Sequence, residues 1–324
     1  MVTSGLQLVT RKRKKVTGEG SATDQKTNPL RFPRTKGIFL GCEPFLLFFF
    51  ELFHFQRRTS TAMTRFFLPE PPRFFAHRGD NVRYPENTLP AFRAAVDQGI
   101  PYLELDVWMT RDREVVVHHD RTTARTCGHK KEISETRFSK LRELDAGWGF
   151  EDSAGERPWS GQGVVIPTLE EVLEAFPQTH ITVEIKQDSE RLCERLLEVV
   201  RDKEASDRVL LASHEDSVVQ RVRAMDPGMP TNFGYKEARD LILRASSGEL
   251  TGYTPPAPAL QIPPEREGRK LATPDVIKAA HSLGVEVHIW TVNEEKYARS
   301  LLDIGVDGIM SDDVEILNSL QKYQ

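Results

Sequence analysis

From residue 73 onward, short apolar runs alternate with longer segments in which apolar side chains recur every three or four positions. The short runs have the length and composition of strands, and the longer segments have the period of amphipathic helices. Strands are predicted at 74–77, 102–108, 181–186, 208–213, 231–235, 258–262, 285–290 and 307–311. Helices are predicted at 88–98, 168–176, 190–202, 216–225, 236–245, 274–282, 294–303 and 314–321.

The regular alternation of strand and helix predicts an α/β fold. Eight strands spread over about 250 residues match the size of a (β/α)8 TIM barrel. A doubly wound open sheet is the alternative, although the chain lacks the GxGxxG turn that such a sheet uses to bind a dinucleotide. Residues 146–167 interrupt the alternation with glycines and prolines, which predicts an inserted loop region after the second strand. Long loops of this kind are often lids or binding loops.

The first 62 residues differ in character from the rest of the chain. They contain the basic run RKRKK at 11–15, a polar stretch, and an apolar run at 37–55. A membrane-spanning helix needs about 20 apolar residues, and Glu43, Pro44 and Glu51 interrupt this run. We therefore predict a leader over 1–62 that is disordered or associates weakly with membranes through 37–55, and a barrel domain over 63–324. A membrane span and a secretory signal are the less favoured alternatives.

Composition limits the possible partners and the compartment. The formal net charge is −4, so the basic excess of a protein that binds nucleic acid is missing. The three cysteines form no CxxC pair, which argues against a disulfide framework or a zinc knuckle. These features predict a cytoplasmic protein without a nucleic-acid partner, or a membrane-associated one if the leader belongs to the natural protein.

Two predicted strands carry carboxylates on the side that faces the barrel interior. In YLELDVW, Glu104 and Asp106 alternate with apolar residues, and in ITVEIK, Glu184 and Lys186 do the same. Three carboxylates in a low-dielectric interior would be unstable without a cation. Ligation by oxygen alone favours Mg²⁺ or Ca²⁺ over zinc. The alternative, that the acids are exposed or pair with arginines, remains open at this point.

Histidines and basic residues follow these strands. His77 and His119 end two apolar runs, in a position where barrel enzymes build their active sites. An imidazole with a pKa near 6.5 can accept or donate a proton, so two of them suit general acid–base catalysis. Arg78 and Lys186 add positive charge that suits an anionic, phosphate-like substrate. His118 points to the opposite side of its run from His119 and is predicted to be structural.

A series of motifs resembles the glycerophosphodiester phosphodiesterase family, within the phospholipase-C-like phosphodiesterases. In chain order these are AHRG, YPENTLPAF, YLELDVWMTRD, VVVHHD, IPTLEEVLEAFP, VEIK, AAHSLGVEVHIWTVN and GVDGIMSD, and together they span about 74–317. The order and number of the motifs make the resemblance specific. It implies a TIM barrel that uses one divalent cation.

The resemblance also assigns roles by motif. It implies that His77 and His119 are the catalytic pair and that Arg78 and Lys186 hold the phosphate. It further implies the cation ligands Glu104, Asp106 and Glu184, the supporting residues Glu86 and Asn87 beside the His77 turn, and Trp290 in the pocket wall.

The activity implied is hydrolysis of a small glycerophosphodiester to glycerol 3-phosphate and an alcohol. The alternative activity is that of a lysophospholipase D, which acts on a lysophospholipid, and Trp148 and Trp159 of the inserted loop would help to hold its acyl chain. A non-catalytic protein that binds glycerophosphodiesters is a further alternative, disfavoured because both histidines and all three acids are present.

Overall fold

A computed structural model describes residues 64–323 of the chain. The predicted leader over 1–62 and its proposed membrane contact through 37–55 lie outside the described residues. Among the helices of residues 64–323, none is long and apolar enough to cross a membrane.

Seven parallel strands form the main sheet, in the order β5-β4-β2-β1-β10-β9-β6. They are β1 (Arg73–His77), β2 (Tyr102–Met109), β4 (His180–Ile185), β5 (Val209–Ala212), β6 (Ala259–Ile262), β9 (Glu286–Ile289) and β10 (Gly308–Ser311). Parallel bridges from Leu211 to Thr231 and from Asn232 to Ala259 join the two edge strands. Residues 231–232 thus supply the fifth of eight strand positions, and the predicted TIM barrel is confirmed.

The fifth predicted strand, 231–235, is shorter than expected. It contributes only the two single bridges, because Gly234 is already the N-cap of the next helix. The preceding residue, Pro230, has no N–H to donate and uses its carbonyl to accept from Leu211. The extended segment is therefore confined to the residues between a proline and a helix start.

The helices that cover the barrel lie close to their predicted positions. Several begin at a serine or threonine N-cap; Thr168, for example, forms a capping box with Glu171. Apolar residues of these helices pack against the outward side chains of the strands, such as Leu103, Val183 and Ile185. The helices of the described residues are α1 (Leu89–Asp97), α2 (Ala124–Cys127), α3 (Phe138–Leu141), α4 (Leu169–Ala175), α5 (Glu190–Asp202), α6 (Asp216–Met225), α7 (Tyr235–Ser247), α8 (Pro274–Ser282), α9 (Glu295–Asp303) and α10 (Val314–Tyr323).

The inserted region after β2 has a small core of its own. Strand β3 (Val115–Val117) pairs antiparallel with β2, outside the barrel. The region buries a separate apolar cluster made of Val116, Cys127, Ile133, Leu141, Ala146, Val164 and Ile166. The Trp159 indole donates to the carbonyl of Arg83 at 2.9 Å. The loop over 146–167 is thus anchored by Trp159 to the segment between β1 and α1, in contrast to the lid that its composition suggested.

The N-terminal end of the barrel is closed by a short 3-10 helix, Arg65–Phe67. The Phe66 side chain is fully buried and contacts Phe75, Tyr102 and His180. Its N–H donates to the carbonyl of Asp207, and its carbonyl accepts from the Tyr102 hydroxyl. Residues from 65 onward are therefore part of the barrel.

The packing of residues 65–67 leads to a test of the predicted boundary at Met63. We expect a protein that begins at Met63 to match the full-length chain in thermal midpoint, because the packing of residues 65–67 is retained. A protein that begins at Leu68 should lose several kcal/mol of stability, since removing a buried phenylalanine alone costs about 3–5 kcal/mol. Thermal unfolding of both proteins tests this. If the protein starting at Met63 unfolds well below the full-length chain, the first 62 residues pack onto the barrel and the boundary is wrong.

Candidate active site

The predicted site residues meet at the carboxyl ends of β1, β2 and β4. Within the sheet, His77 lies beside Glu104 and Asp106 lies beside Glu184 as Cα partners. This register places the four side chains at neighbouring positions on the inner face of the barrel. The edge is the one where barrel enzymes carry their catalytic residues.

Three carboxylates form a cluster. Oxygens of Glu104, Asp106 and Glu184 lie within 4.8 Å of one another. Glu104 is 3% exposed and Asp106 is fully buried. Burial and, next, the negative charge of Asp106 raise the pKa of Glu104 to about 8. The cluster therefore has less positive charge around it than its ionised carboxylates require, and its all-oxygen donor set fits a hard divalent cation.

Two basic side chains reach into the cluster. The Nε atom of Arg78 is 3.0 Å from Asp106, and Nζ of Lys186 is 2.9 Å from both Asp106 and Glu184. Burial raises the pKa of Asp106, but Lys186 and Arg78 outweigh it, so the net shift is downward. The pairing of acids with basic residues, left open by the sequence, is thus present. It favours the ionised form of Asp106, whereas the ionised form of Glu104 remains disfavoured.

His77 is oriented by a carboxylate from the opposite end of the chain. Its Nδ1 is 2.7 Å from Oδ1 of Asp312, and its Nε2 is 3.8 Å from Glu104. The amide of Asn81 donates to Asp312 at 2.6 Å, and the amide of Asn293 donates to it at 2.5 Å. Burial lowers the pKa of His77, but the charge of Glu104 and the bond to Asp312 give a net rise. With Nδ1 engaged, Nε2 is the nitrogen that faces the cavity.

His119 has a matching arrangement. Its Nδ1 is 2.7 Å from Asp120, which Arg125 contacts at 2.8 Å. Arg125 also binds Glu86 at 2.6 Å, so a chain of charged contacts leads from His119 to Glu86. Both histidines thus use Nδ1 to contact an aspartate and keep Nε2 for a ligand, an arrangement suited to proton transfer.

The backbone around His77 is held in an unusual conformation. Arg78 and Asn87 have φ of 58° and 57°, in the left-handed region that non-glycine residues seldom adopt. The N–H of Asn87 donates to the carbonyl of Arg78, and its side chain donates to Asp106 at 2.8 Å. Glu86 contacts the Arg78 guanidinium at 3.1 Å. Asn87 therefore links the turn after β1 to a carboxylate of the cluster.

Three residues near the histidines had no role assigned from sequence, namely Asp312, Asp120 and Arg125. Asp120 and Asp312 lie within the HHD and MSD motifs, which was a signal that they were close to the site. His118, in contrast, is buried, with Nδ1 bonded to the Asp120 carbonyl and Nε2 to Thr126. Because both of its nitrogens are occupied, it fits the structural role predicted for it.

One cavity of about 960 Å³ opens over the cluster. His77, Arg78, His119 and Lys186 line it, and Trp290, which is 38% exposed, forms part of its wall. The cavity continues to α7 and to the hairpin of β7 (Glu265–Arg266) and β8 (Arg269–Lys270). Trp148 and Trp159 are not among the residues of 64–323 that line it, so the cavity gives no support to the expected contact between these indoles and a substrate chain.

Comparison with known proteins gives consistent matches over the barrel. Residues 77–316 match the model of the Glycerophosphoryl diester phosphodiesterase family. A glycerophosphodiester phosphodiesterase from Caldanaerobacter subterraneus subsp. tengcongensis is 31% identical over 255 residues, which cover 76% of this chain and 96% of the relative. A lysophospholipase D from Rattus norvegicus is 27% identical over 307 residues, which cover 86% of this chain and 92% of the relative.

A solved structure has the same fold. It is that of a phosphodiesterase from Oleispira antarctica in complex with the product sn-glycerol-3-phosphate, with a TM-score of 0.63 and 25% identity. The likeness covers 78% of this chain and 97% of that one. The matched range, 77–316, spans the positions of the site residues described above.

Proposed function

The chain belongs to the glycerophosphoryl diester phosphodiesterase family, a family of phosphoric diester hydrolases, and on this premise we propose that it hydrolyses small glycerophosphodiesters by a metal-dependent, two-histidine mechanism. The products are glycerol 3-phosphate and an alcohol. The observation that supports this proposal best is the convergence of two aspartate-bound histidines and three clustered carboxylates on one cavity.

The proposed cation ligands are Glu104, Asp106 and Glu184, and the proposed cation is Mg²⁺ or Ca²⁺. The raised pKa of Glu104 supports this assignment, because it indicates that the neighbouring side chains supply too little positive charge to stabilise the ionised carboxylate. When bound, the cation polarises the phosphate and neutralises part of its charge.

Arg78 and Lys186 are the proposed phosphate-binding residues. Both line the cavity, and both remain positively charged, since the neighbouring acids outweigh burial and raise the pKa of each. Fixed positive charges at the phosphate stabilise the negative charge that grows on it during reaction. Trp290 supplies an apolar surface for the rest of the ligand.

Each histidine carries out one of the two proton transfers. The Nε2 atom of one accepts the proton of the attacking oxygen, and that of the other donates a proton to the leaving alkoxide. The attacking oxygen is that of water or, as the family resemblance implies, the 2-hydroxyl of the substrate, which gives a cyclic phosphate that water then opens. Asp312 and Asp120 hold each ring with Nδ1–H turned away from the substrate.

The role of Asp312 can be tested through the pH profile. Asp312→Asn keeps a hydrogen-bond acceptor for His77 but removes the negative charge that raises the pKa of the ring. We expect turnover to fall and the limb of the pH profile that depends on His77 to move to lower pH. Asp313→Asn is the matched control, because Asp313 is the neighbouring acid and contacts Arg83. A profile that is unchanged in Asp312→Asn would remove Asp312 from this role.

The proposed activity is tested by a product assay. Glycerophosphocholine and glycerophosphoethanolamine are supplied with Mg²⁺ or Ca²⁺, and glycerol 3-phosphate is measured. Formation of glycerol 3-phosphate supports the proposal. Tight binding of these diesters without any turnover would instead indicate the non-catalytic binding protein.

A lysophospholipase D activity is the second candidate. Two observations favour it, namely the similarity to the relative from Rattus norvegicus and a cavity larger than a glycerophosphate group requires. The small glycerophosphodiesters and a lysophospholipid share the same phosphodiester chemistry, so one catalytic site serves both.

A further inference from the structure

One part of the cavity has a distinct lining, which we call the arm. Its walls are helix α7 and the segment that follows β6 and includes the β7–β8 hairpin. Its apolar residues are Ala238, Ile242, Leu243, Ile262, Pro263 and Leu271. Its basic residues are Arg239, Arg266, Arg269 and Lys270.

The arm lies across the barrel mouth from the catalytic residues. His77 and Glu104 come from the first and second strand positions of the barrel, whereas the arm follows the fifth and sixth. In an eight-stranded barrel, positions four apart lie on opposite sides. A ligand whose phosphate is at the histidines can therefore extend across the mouth into the arm without leaving the cavity.

Part of the apolar surface of the arm is exposed to solvent and is not buried in the core of the barrel. Leu243 is 54% exposed, and Trp290, which also lines the cavity, is 38% exposed. A single exposed leucine is ordinary, but here Leu243 continues the apolar lining of Ile242 and Leu271 within one concave cavity. Continuous apolar lining of this kind suits a flexible hydrocarbon chain.

The charge of the arm is basic. Within residues 64–323, Arg239, Arg269 and Lys270 make no salt bridge, and Arg266 faces Glu267 at 3.9 Å while stacking over the Tyr235 ring. Such free positive charges at the edge of an apolar channel suit the phosphate groups of a lipid surface.

The size of the cavity agrees with a longer ligand. Pockets for drug-sized ligands measure about 300–1,000 Å³, and this one, at about 960 Å³, is at the upper end. Glycerol 3-phosphate is far smaller than such ligands and would leave the arm empty.

We propose that the arm binds the acyl chain of a lysophospholipid whose phosphodiester lies at the catalytic residues. This inference rests on the proposed function, because the same site performs the chemistry. The bond between phosphorus and the headgroup oxygen breaks, and an oxygen from water forms the new bond to phosphorus. The headgroup leaves as an alcohol with the proton supplied by a histidine, and the product is a lysophosphatidic acid.

The test compares two substrates in matched variants. The measured quantity is the ratio of kcat/KM for monomeric lysophosphatidylcholine to kcat/KM for glycerophosphocholine. In Leu243→Asp we expect this ratio to fall about tenfold or more, because a charge replaces apolar surface that the chain contacts. Leu68→Asp is the control, since Leu68 is similarly exposed, at 60%, but adjoins the opposite end of the barrel, and its ratio should not change. In the unaltered protein, kcat/KM should rise with acyl length in a series of short-chain lysophosphatidylcholines.

The outcomes separate this inference from the proposed function. If glycerophosphocholine is hydrolysed but lysophosphatidylcholine is not, or if acyl length has no effect, the arm does not bind a chain while the proposed function stands. The same holds if the ratio in Leu243→Asp equals that in Leu68→Asp. If neither substrate is hydrolysed with Mg²⁺ or Ca²⁺ supplied, the proposed function itself fails.

Discussion

Replacing either His77 or His119 by alanine is expected to lower kcat by about 100- to 10,000-fold, the usual loss when a general acid or base is removed. Both rings line the cavity, and both have Nδ1 engaged by an aspartate, so each substitution removes an oriented Nε2. Steady-state kinetics with glycerophosphocholine under saturating cation provide the measurement.

A suitable control for these variants is His129→Ala, because His129 is exposed and does not line the cavity. The thermal midpoints of the three variants should stay close to that of the unaltered protein, which separates a loss of chemistry from a loss of fold. Near-normal turnover in His77→Ala or His119→Ala would exclude that histidine from catalysis.

Removal of divalent cations is expected to abolish activity, and Glu184→Gln should weaken cation binding much more than Glu190→Gln. Glu184 belongs to the carboxylate cluster, whereas Glu190 is the exposed first residue of α5. Loss of a group that only supports a metal ligand typically costs 10- to 100-fold in affinity, so loss of a ligand should cost about 100-fold or more.

The cation prediction has a readout that does not depend on activity. Titration calorimetry with Mg²⁺ and with Ca²⁺ gives the dissociation constant for each variant, and the cation that restores turnover after chelation identifies the one used. Equal dissociation constants for Glu184→Gln and Glu190→Gln would place the cation elsewhere. Full activity in the presence of excess chelator would contradict the metal-dependent mechanism.

The barrel could be predicted from sequence because its signals are local. A strand shows its inward and outward faces by alternation, so the inward placement of Glu104, Asp106 and Glu184 follows from counting. Helix ends are marked by caps such as Thr168, which is why most predicted helices agree with the structure. The length of the strand at 231–235 was harder to predict, because its extended part is only long enough for two bridges.

The contacts that orient the site depend on tertiary structure. Asp312 lies 235 positions from His77, and no periodicity in either segment indicates that they touch. The loop over 146–167 has the composition of a lid, yet Val164, Ile166 and Trp159 anchor it, and side-chain composition alone does not distinguish the two states. The arm could not be predicted from the sequence either, because α7 has the pattern of an ordinary amphipathic helix.

The buried position of Glu104 also sets a conflict between stability and function. A carboxyl group whose pKa is raised to about 8 by folding makes the folded state less favourable as the pH rises toward that value, because the unfolded chain releases its proton more easily. Without a cation the barrel thus carries a strain that selection for stability alone would remove, for instance by a glutamine at 104. A cation bound at the proposed site would offset this loss of stability, because the folded state brings the three carboxylates together, and it would then contribute to folding as well as to chemistry.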